Sequence, residues 1–380
     1  MINIIADENL AYPVELFSQF GNVQLVNGRK ITNSILTNAD ALMIRSVTNV
    51  NAALVENTKI KFVGTATIGT DHIDIDYLKS KGVAFANAPG CNSYAVAEYV
   101  TASLIYTAVK NKFSLKDKTI GVVGIGNVGS KVARFCEALG MNVLKNDPPL
   151  FKQGKLSDSM PLNRLLDSDI ISLHVPLTFE GEDKTYHLFD EEKLGLLKSN
   201  TLLINTSRGA VIDNEALTRI TNKKKLNVVL DVWENEPDIL NDLVNNVLIG
   251  TPHIAGYTLE GKVNGSIMIL KALADFLGKE SSVSINLPEV IDNLHDYDFS
   301  GNSEAELFKI INRIYNIGDD HSKLISINSL PGKERGRYFD KLRKEYPLRR
   351  EFNNYKVKLN MPKPEIEKML RDLRFTVYAR

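Results

Sequence analysis

Cysteine is nearly absent from this chain: Cys91 and Cys136 are the only 2 in 380 residues. Two thiols build no disulfide framework, so a reducing compartment is expected and both read as core thiols. Charge of one sign is lacking too. Lys and Arg number 46 and Asp and Glu 46, which removes any global argument for nucleic acid or an anionic membrane as partner. No apolar run reaches the ~18 residues a membrane span requires. The start, "MINIIADENL", has an early acidic pair and no basic segment, so no signal peptide is expected. Internal repeats and low-complexity segments are missing as well. These absences lead to the expectation of a soluble, cytoplasmic globular protein, long enough for two or three domains.

What is present is an alternation of short apolar runs with helical patterns. Up to residue 98, "INIIADE", "NVQLV", "ALMIRS", "IKFVGTAT" and "VAFANAPG" read as strands, with "YPVELFSQFG" and "DYLKSKG" as helices between them. Such alternation predicts a parallel sheet covered on both faces. A long helix, "SYAVAEYVTASLIYTAVK", leads to a second unit with six strand candidates: "KTIGVVG", "MNVLKND", "DIISLHV", "TLLINTS", "LNVVLDV" and "NVLIG". Six strands with intervening helices are what a dinucleotide-binding sheet needs. "GKVNGSIMILKALADFLG" then reads as a helix crossing back to the first unit. The expected fold is α/β, with two doubly wound parallel-sheet domains and a C-terminal α+β module. The discontinuous first domain takes 1–98 and 256–280, the dinucleotide-binding domain 99–255 and the module 281–380. In the module, "SSVSINLPEVIDNLHDYDFSGNS" reads as a polar linker. "EAELFKIINRIYNI" and "PEIEKMLRDL" read as helices, and "KLISINS", "YKVKLN" and "FTVYA" as strands.

Gly124, Gly126 and Gly129 in "GVVGIGNVGS" have the G-x-G-x-x-G spacing, with a strand before and an amphipathic helix after. Gly124 permits the tight turn, Gly126 lets backbone approach a pyrophosphate, and Gly129 lets helix pack on strand. Eighteen residues beyond Gly129, Asp147 ends the next strand. A carboxylate there can bond the adenosine ribose hydroxyls and repel the 2′-phosphate of NADP; "NDPP" is also good turn chemistry.

Ligands of open α/β sheets sit outside the carboxyl ends of the strands. Those ends carry Arg208 in "NTSRGAVID", Asp231 and Glu236 in "DVWENEP", and His253 in "TPHIAGYT". Imidazole titrates near neutrality, so His253 can take or return a hydroxyl proton. Glu236 beside it would favour the charged form and fix the ring, and Arg208 can grip a substrate carboxylate. Arg45 closes a strand of the first domain, as a candidate for a second anionic group. The basic run Lys333 to Arg350 is a second source of positive charge for that group, or simply a solvated or dimer-facing charged surface. His174 sits at a strand end near the expected cofactor, whereas His72, His187, His295 and His321 read as ordinary. Nothing calls for a metal.

The set "GVVGIGNVGS", "INTSRGAVIDNEAL", "LDVWENEP" and "TPHIAGYT" resembles the D-isomer-specific 2-hydroxyacid dehydrogenase family. "ADENL", "MIRSVTNVN", "FVGTATIGTDHID", "APGCN" and "LPGKERGRYFDKLRKEYPLRREF" extend the likeness over nearly the whole chain. The resemblance implies NAD as cofactor, a small phosphorylated 2-hydroxy acid as substrate, and Arg208, Glu236 and His253 as the catalytic set. It implies NAD contacts at the glycine loop, Asn127 and Val128 included, and at Asp147, Val175, Thr206, Ser207, Arg208, Asp231 and Gly256. For substrate it points to Ser46, Thr67 and Tyr257, and for assembly to a homodimer joined through the C-terminal module. Two alternatives remain open here: another 2-hydroxy acid such as 3-phosphoglycerate, or an NAD-sensing binding protein of the same fold.

Overall fold

The computed structural model describes residues 1–290, 294–297, 299, 303–361 and 363–379. It divides into two compact units, Met1–Asn92 with Thr258–Glu289, and Ser93–Tyr257 with Val290–Arg380. Among the described residues no helix is long and apolar enough to cross a membrane.

The first unit holds β1 (Ile2–Asp7), β2 (Gly21–Val26), β3 (Ala41–Ile44), β4 (Phe62–Thr65) and β5 (Ala84–Ala86). They form one sheet in the order β2-β1-β3-β4-β5, parallel throughout. The helix Leu259–Leu277 completes it, burying Ile269, Leu270 and Leu273 against Ile4, Met43 and Phe62. Thr258 caps that helix by accepting the Gly261 amide.

The second unit is built on β6 (Thr119–Val123), β7 (Asn142–Asn146), β8 (Ile170–Leu173), β9 (Leu202–Asn205), β10 (Asn227–Leu230) and β11 (Ile249–Gly250). Their order is β11-β10-β9-β8-β6-β7, again all parallel. Successive side chains serve opposite layers. Ile170, Leu202, Ile204 and Val229 join one apolar cluster, and Ile171, Leu203, Val228 and Leu230 the other. Burial on both faces is why these strands read as unbroken apolar runs. The chain reverses direction in the sheet between β6 and β8, and the crevice at such a switch point is the usual place for a ligand.

The C-terminal segment belongs to this second unit. Its three-stranded parallel sheet runs β12 (Leu294–Tyr297), β13 (Lys356–Leu359) and β14 (Thr376–Ala379). β12 lies inside the stretch expected to be a linker, of which residues 291–293, 298 and 300–302 lie outside the described residues. "KLISINS", expected as a strand, is helical: Ile317–Ile325 is an α-helix and Ser326–Ser329 a 3-10 turn. Ile317, Asp320, Leu324 and Ile327 are its buried positions, a 3.6-residue stripe whose last few residues mimic a two-residue alternation.

The apolar face of "AELFKIINRIYNI", a candidate surface for the homodimer expected through the C-terminal module, is instead taken up within the chain. Leu307, Ile310 and Ile311 of the helix Ser303–Ile314 are buried within the chain, in one cluster with Leu104, Ile105 and Ala108 of the helix Ser93–Asn111. A charged knot adds to this seam. Arg374 Nη1 lies 2.7 Å from Glu351 and 3.6 Å from the buried Glu98, and the Phe352 amide donates to Glu98 at 2.9 Å. Burial and the nearby Glu351 still push the Glu98 carboxyl well above its ordinary range. Cys91 and Cys136 are both buried, and burial pushes the Cys136 thiol up to about 12, so it is no nucleophile.

Removing the fully buried Ile310 side chain leaves a cavity in this seam. Ile310→Ala is expected to cost about 2–5 kcal/mol, read by urea denaturation of the full chain. A change under about 1 kcal/mol would place Ile310 at the surface.

Candidate active site

The glycine loop follows β6. Gly124 has φ +87°, and a Cβ there would lie 2.8 Å from the His174 carbonyl and 2.9 Å from Val175 Cγ1. Only glycine fits, because the next strand's end passes directly over it. A Cβ on Gly129 would meet the Gly124 carbonyl oxygen at 1.8 Å, so the helix Asn127–Ala138 can approach the loop only at a glycine. Gly126, at that helix's N-cap, has no side-chain cap and faces open space. A cradle crowded behind and open in front, floored by helix N-terminal amides, fits a dinucleotide pyrophosphate. Asn127 and Val128 form the helix's first residues.

Asp147 closes the loop from β7. Its carboxylate accepts the Ile125 amide at 2.8 Å and the Leu150 amide at 3.0 Å. It therefore ties down the glycine loop and caps the short helix Pro148–Lys152, with lone pairs remaining for ribose hydroxyls. His174 ends β8 between two hydroxyls, Ser172 at 2.9 Å and Thr206 at 3.2 Å. Burial drives its pKa down to about 3, so it is a neutral hydrogen-bonding post for Thr206 and not a proton carrier.

The turn after β9 is knit by Asn205, whose Oδ1 accepts from the Ser207 amide and hydroxyl and whose Nδ2 donates to the Arg208 carbonyl. Arg208 Nη1 donates to the Ser207 carbonyl at 2.8 Å. A Cβ on Gly209 would lie 1.9 Å from the Trp233 carbonyl carbon. That contact of bare backbones brings the Arg208 turn against the loop that carries Glu236.

Asp231, at the end of β10, is 1% exposed. Its carboxylate accepts from Thr251 Oγ1 at 2.6 Å, Ile254 N–H at 2.7 Å and Ala255 N–H at 2.9 Å. Its carbonyl accepts the His253 amide at 2.7 Å. Tyr99 in turn bonds Thr251 through its hydroxyl at 2.7 Å. Burial still outweighs His253 and these donors, and the Asp231 pKa is raised. So gripped, His253 holds φ 58°, a left-handed conformation rare outside glycine.

The His253 Nδ1–H donates to Glu236 Oε2 at 2.8 Å, and Glu236 Oε1 accepts the Trp233 amide at 2.9 Å. This bond fixes the tautomer and leaves Nε2, without a protein partner among the described residues, as the basic nitrogen. The ring is 34% exposed, so a reacting hydroxyl can reach it. Burial would raise the Glu236 carboxyl, but His253, by charge and hydrogen bond, with Arg343 and the Trp233 amide, brings it below its ordinary value. Tyr257 follows on the same loop, past the turn at Gly256, edge-on to Tyr346 with ring centroids 5.9 Å apart.

Arg208, Glu236 and His253 thus all belong to the carboxyl rim of one sheet. Among the substrate candidates of the first unit, Ser46 lies exposed in the turn after β3. Thr67, just past β4, bonds Thr65 at 2.8 Å and donates to the Gly69 carbonyl at 3.0 Å. Arg45 is half-buried, with Nη1 3.4 Å from the Asn9 carbonyl. Three histidines read as ordinary have definite partners. His72 Nε2 bonds Thr65 at 3.1 Å, His187 Nε2 bonds Glu234 at 2.8 Å, and His321 Nδ1 accepts the Gly250 amide at 3.0 Å. The side chain of His295 lies outside the described residues. His187, Asp213 and Glu234 form the one group of described residues whose ligand atoms fall within 4.8 Å of one another. Glu234 there also accepts the Asn214 amide and Asp213 that of Ala216. Sequence reasoning passed over Trp233, Thr251 and Tyr99: the first two lie inside quoted motifs and the third in the long helix, but no local pattern shows which distant group each one bonds.

Residues 96–255 match the family model "D-isomer specific 2-hydroxyacid dehydrogenase, NAD binding domain", and residues 291–373 match a domain of unknown function (DUF3410). The chain is 44% identical over 356 residues to "Erythronate-4-phosphate dehydrogenase" of Yersinia pestis (strain Pestoides F), covering 93% of this chain and 94% of that protein. The same figures hold for its namesake in Yersinia pseudotuberculosis serotype O:3 (strain YPIII). Among solved structures, the NAD+-bound 3-phosphoglycerate dehydrogenase of Entamoeba histolytica is similar with TM-score 0.64 and 24% identity, over 73% of this chain and 95% of that one. The D-lactate dehydrogenase of Aquifex aeolicus, complexed with NAD and lactic acid, gives 0.60 and 28% over the same shares.

Because Glu236 is held below its ordinary value of 4.5, the folded protein binds that proton less tightly than the unfolded chain does. Its contribution to stability is full above that value and is lost as the pH falls through the depressed folded value. Glu236→Gln is expected to be less stable than wild type at pH 7, the two curves converging below about pH 4. Urea denaturation across that range reads the difference; curves that stay parallel would refute the depressed carboxyl.

Proposed function

The chain belongs to the D-isomer specific 2-hydroxyacid dehydrogenase family, and within it we propose the NAD-dependent oxidation of 4-phospho-D-erythronate to (R)-3-hydroxy-2-oxo-4-phosphooxybutanoate, a step of vitamin B6 (pyridoxal 5′-phosphate) synthesis. The observation that carries the chemistry is the Glu236–His253 pair, joined at 2.8 Å on a ring that stays 34% exposed. The full-length likeness to erythronate-4-phosphate dehydrogenases carries the substrate.

The glycine loop, with Asn127, Val128, Asp147, Val175, Thr206 and Ser207 around it, would hold NAD, which supplies the hydride acceptor when bound. Arg208 receives the substrate carboxylate and polarises the C2 oxygen as it becomes a carbonyl. As the C2–H bond yields its hydride, the hydroxyl proton passes to His253 Nε2. Glu236, already bonded to Nδ1–H, stabilises the imidazolium that results. The proton later leaves to solvent through the exposed ring edge. Asp231 holds the 251–255 loop and with Gly256 would contribute to NAD binding, as the family resemblance implies, and Tyr257 would meet the substrate. Ser46, Thr67 and Arg45, past strand ends of the first unit, are proposed as substrate contacts on the family resemblance. We further propose a cytoplasmic homodimer joined through the C-terminal domain, 281–380. Among its described residues, exposed Val283, Leu348, Met361 and Tyr378 (43%, 65%, 61% and 49%) offer apolar surface for that contact.

NADH absorbance tests the reading: 4-phosphoerythronate should be oxidised with kcat/KM far above D-lactate or 3-phosphoglycerate. His253→Ala is expected to lose ~10²–10⁴ in turnover while binding NAD as before. Near-wild-type kcat in that variant overturns the acid/base role. A carboxylate at about 4 Å from a 2′-phosphate is repelled by a few kcal/mol at an effective dielectric of about 20, so NAD should be strongly preferred to NADP and Asp147→Asn should narrow the gap. Equal use of both by the wild type would remove Asp147 from cofactor selection.

A further inference from the structure

Among the cations of the C-terminal segment, Arg343 lies beside Tyr257, and the mechanism above does not use it. Arg343 lies near the end of the helix Gly332–Lys344. That helix packs unusually close to the Glu236 loop: a Cβ on Gly336 would lie 2.7 Å from Asp238 Oδ1 and 3.2 Å from Pro237 Cγ. Phe339, fully buried, anchors it in the same cluster as Trp233 and Ile239. Arg343 is thereby set beside Tyr257, its Cζ 5.9 Å from the ring centroid, within reach of that side chain's electrostatic influence. Glu236 and Asp340 lie within electrostatic range.

Two observations separate Arg343 from an ordinary structural ion pair. Its Nε is buried and has no hydrogen-bond partner among the described residues, and an unsatisfied buried donor is costly unless an acceptor arrives. Glu236, meanwhile, already spends one oxygen on Trp233 and the other on His253. A guanidinium with a spare N–H, beside the proton-transfer pair and the tyrosine proposed to meet substrate, suits a tetrahedral dianion. Arg208 does not suffice for both ends of the substrate, because its fork is taken by the carboxylate. A phosphate carries about −1.5 to −2 charge at pH 7 and needs cationic partners of its own once water is excluded.

We propose that Arg343 binds the phosphate of the substrate and so sets the preference for a phosphorylated over a plain hydroxy acid. The proposal rests on the reading that the substrate is a phosphorylated 2-hydroxy acid. It gives the C-terminal segment a part in recognition, beyond any in assembly.

The experiment compares wild type, Arg343→Gln and Arg343→Lys in the full-length protein, on 4-phosphoerythronate and on unphosphorylated erythronate. NAD affinity and thermal midpoint serve as folding controls. Arg343→Gln should lose kcat/KM for the phosphorylated substrate about 10- to 100-fold more than for erythronate, the size of a charge-assisted hydrogen bond. Arg343→Lys, which keeps charge but not the planar fork, should recover part of it. Equal losses on both substrates, or a loss that tracks a displaced pH profile, would overturn the proposal and make Arg343 a positioning residue for Glu236. If Arg343→Gln fails to fold, binding of inorganic phosphate to the NAD-loaded wild type and Arg343→Lys decides: weaker binding in the variant supports the proposal, equal binding overturns it. A wild type that ignores 4-phosphoerythronate would sink the substrate reading instead, and the phosphate-binding comparison would still judge Arg343.

Discussion

The buried carboxylate of Asp231 is the constraint on which the placement of His253 beside Glu236 depends. It accepts three hydrogen bonds from residues 251–255 and thereby clamps a loop that would otherwise relax. Held this way, His253 sits at a positive φ and presents Nδ1 to Glu236. A backbone conformation of that kind typically costs on the order of 1–3 kcal/mol and persists only where its surroundings over-determine it. The carboxylate's own burial is unfavourable, as its raised pKa records, and the donors that converge on it offset that burden.

Outward from Asp231 the same logic repeats in successive layers. Thr251 links it to Tyr99 in the long helix Ser93–Asn111. Arg349 donates to the Ala255 carbonyl from the C-terminal segment and lies 4.4 Å over the Tyr315 ring. His321 covers the amide of Gly250 at the sheet's edge strand, and the helix bearing Gly336 backs the Glu236 loop. The C-terminal segment therefore packs against the loops that carry Glu236 and His253. Its apolar residues share one core with the dinucleotide-binding sheet, which is why contact alone does not divide them.

The glycines show how little room the site leaves. At Gly124, Gly129 and Gly209 a single methyl group would strike backbone, which cannot move aside as a flexible side chain can. Two of these approaches shape the cradle expected to hold the cofactor, and the third joins the arginine turn to the acid–base loop.

Much of this was legible in the linear chain because its signals are local. Strands buried on both faces must be apolar throughout, so β6 to β11 announce themselves. A parallel sheet sends every strand's carboxyl end to one rim, so Arg208, Glu236 and His253 could be grouped without seeing it. The glycine loop carries its requirement within six residues. Tertiary structure alone decided what each polar group faces. It turned the apolar side of Ser303–Ile314 inward, made "KLISINS" helical and gave His174 a neutral, structural post. It also committed Asp231 to the 251–255 loop and carried Arg343 to Tyr257. Those outcomes depend on packing between residues from tens to more than two hundred positions apart, and no short-range pattern encodes which distant surface will exclude water from a given side chain.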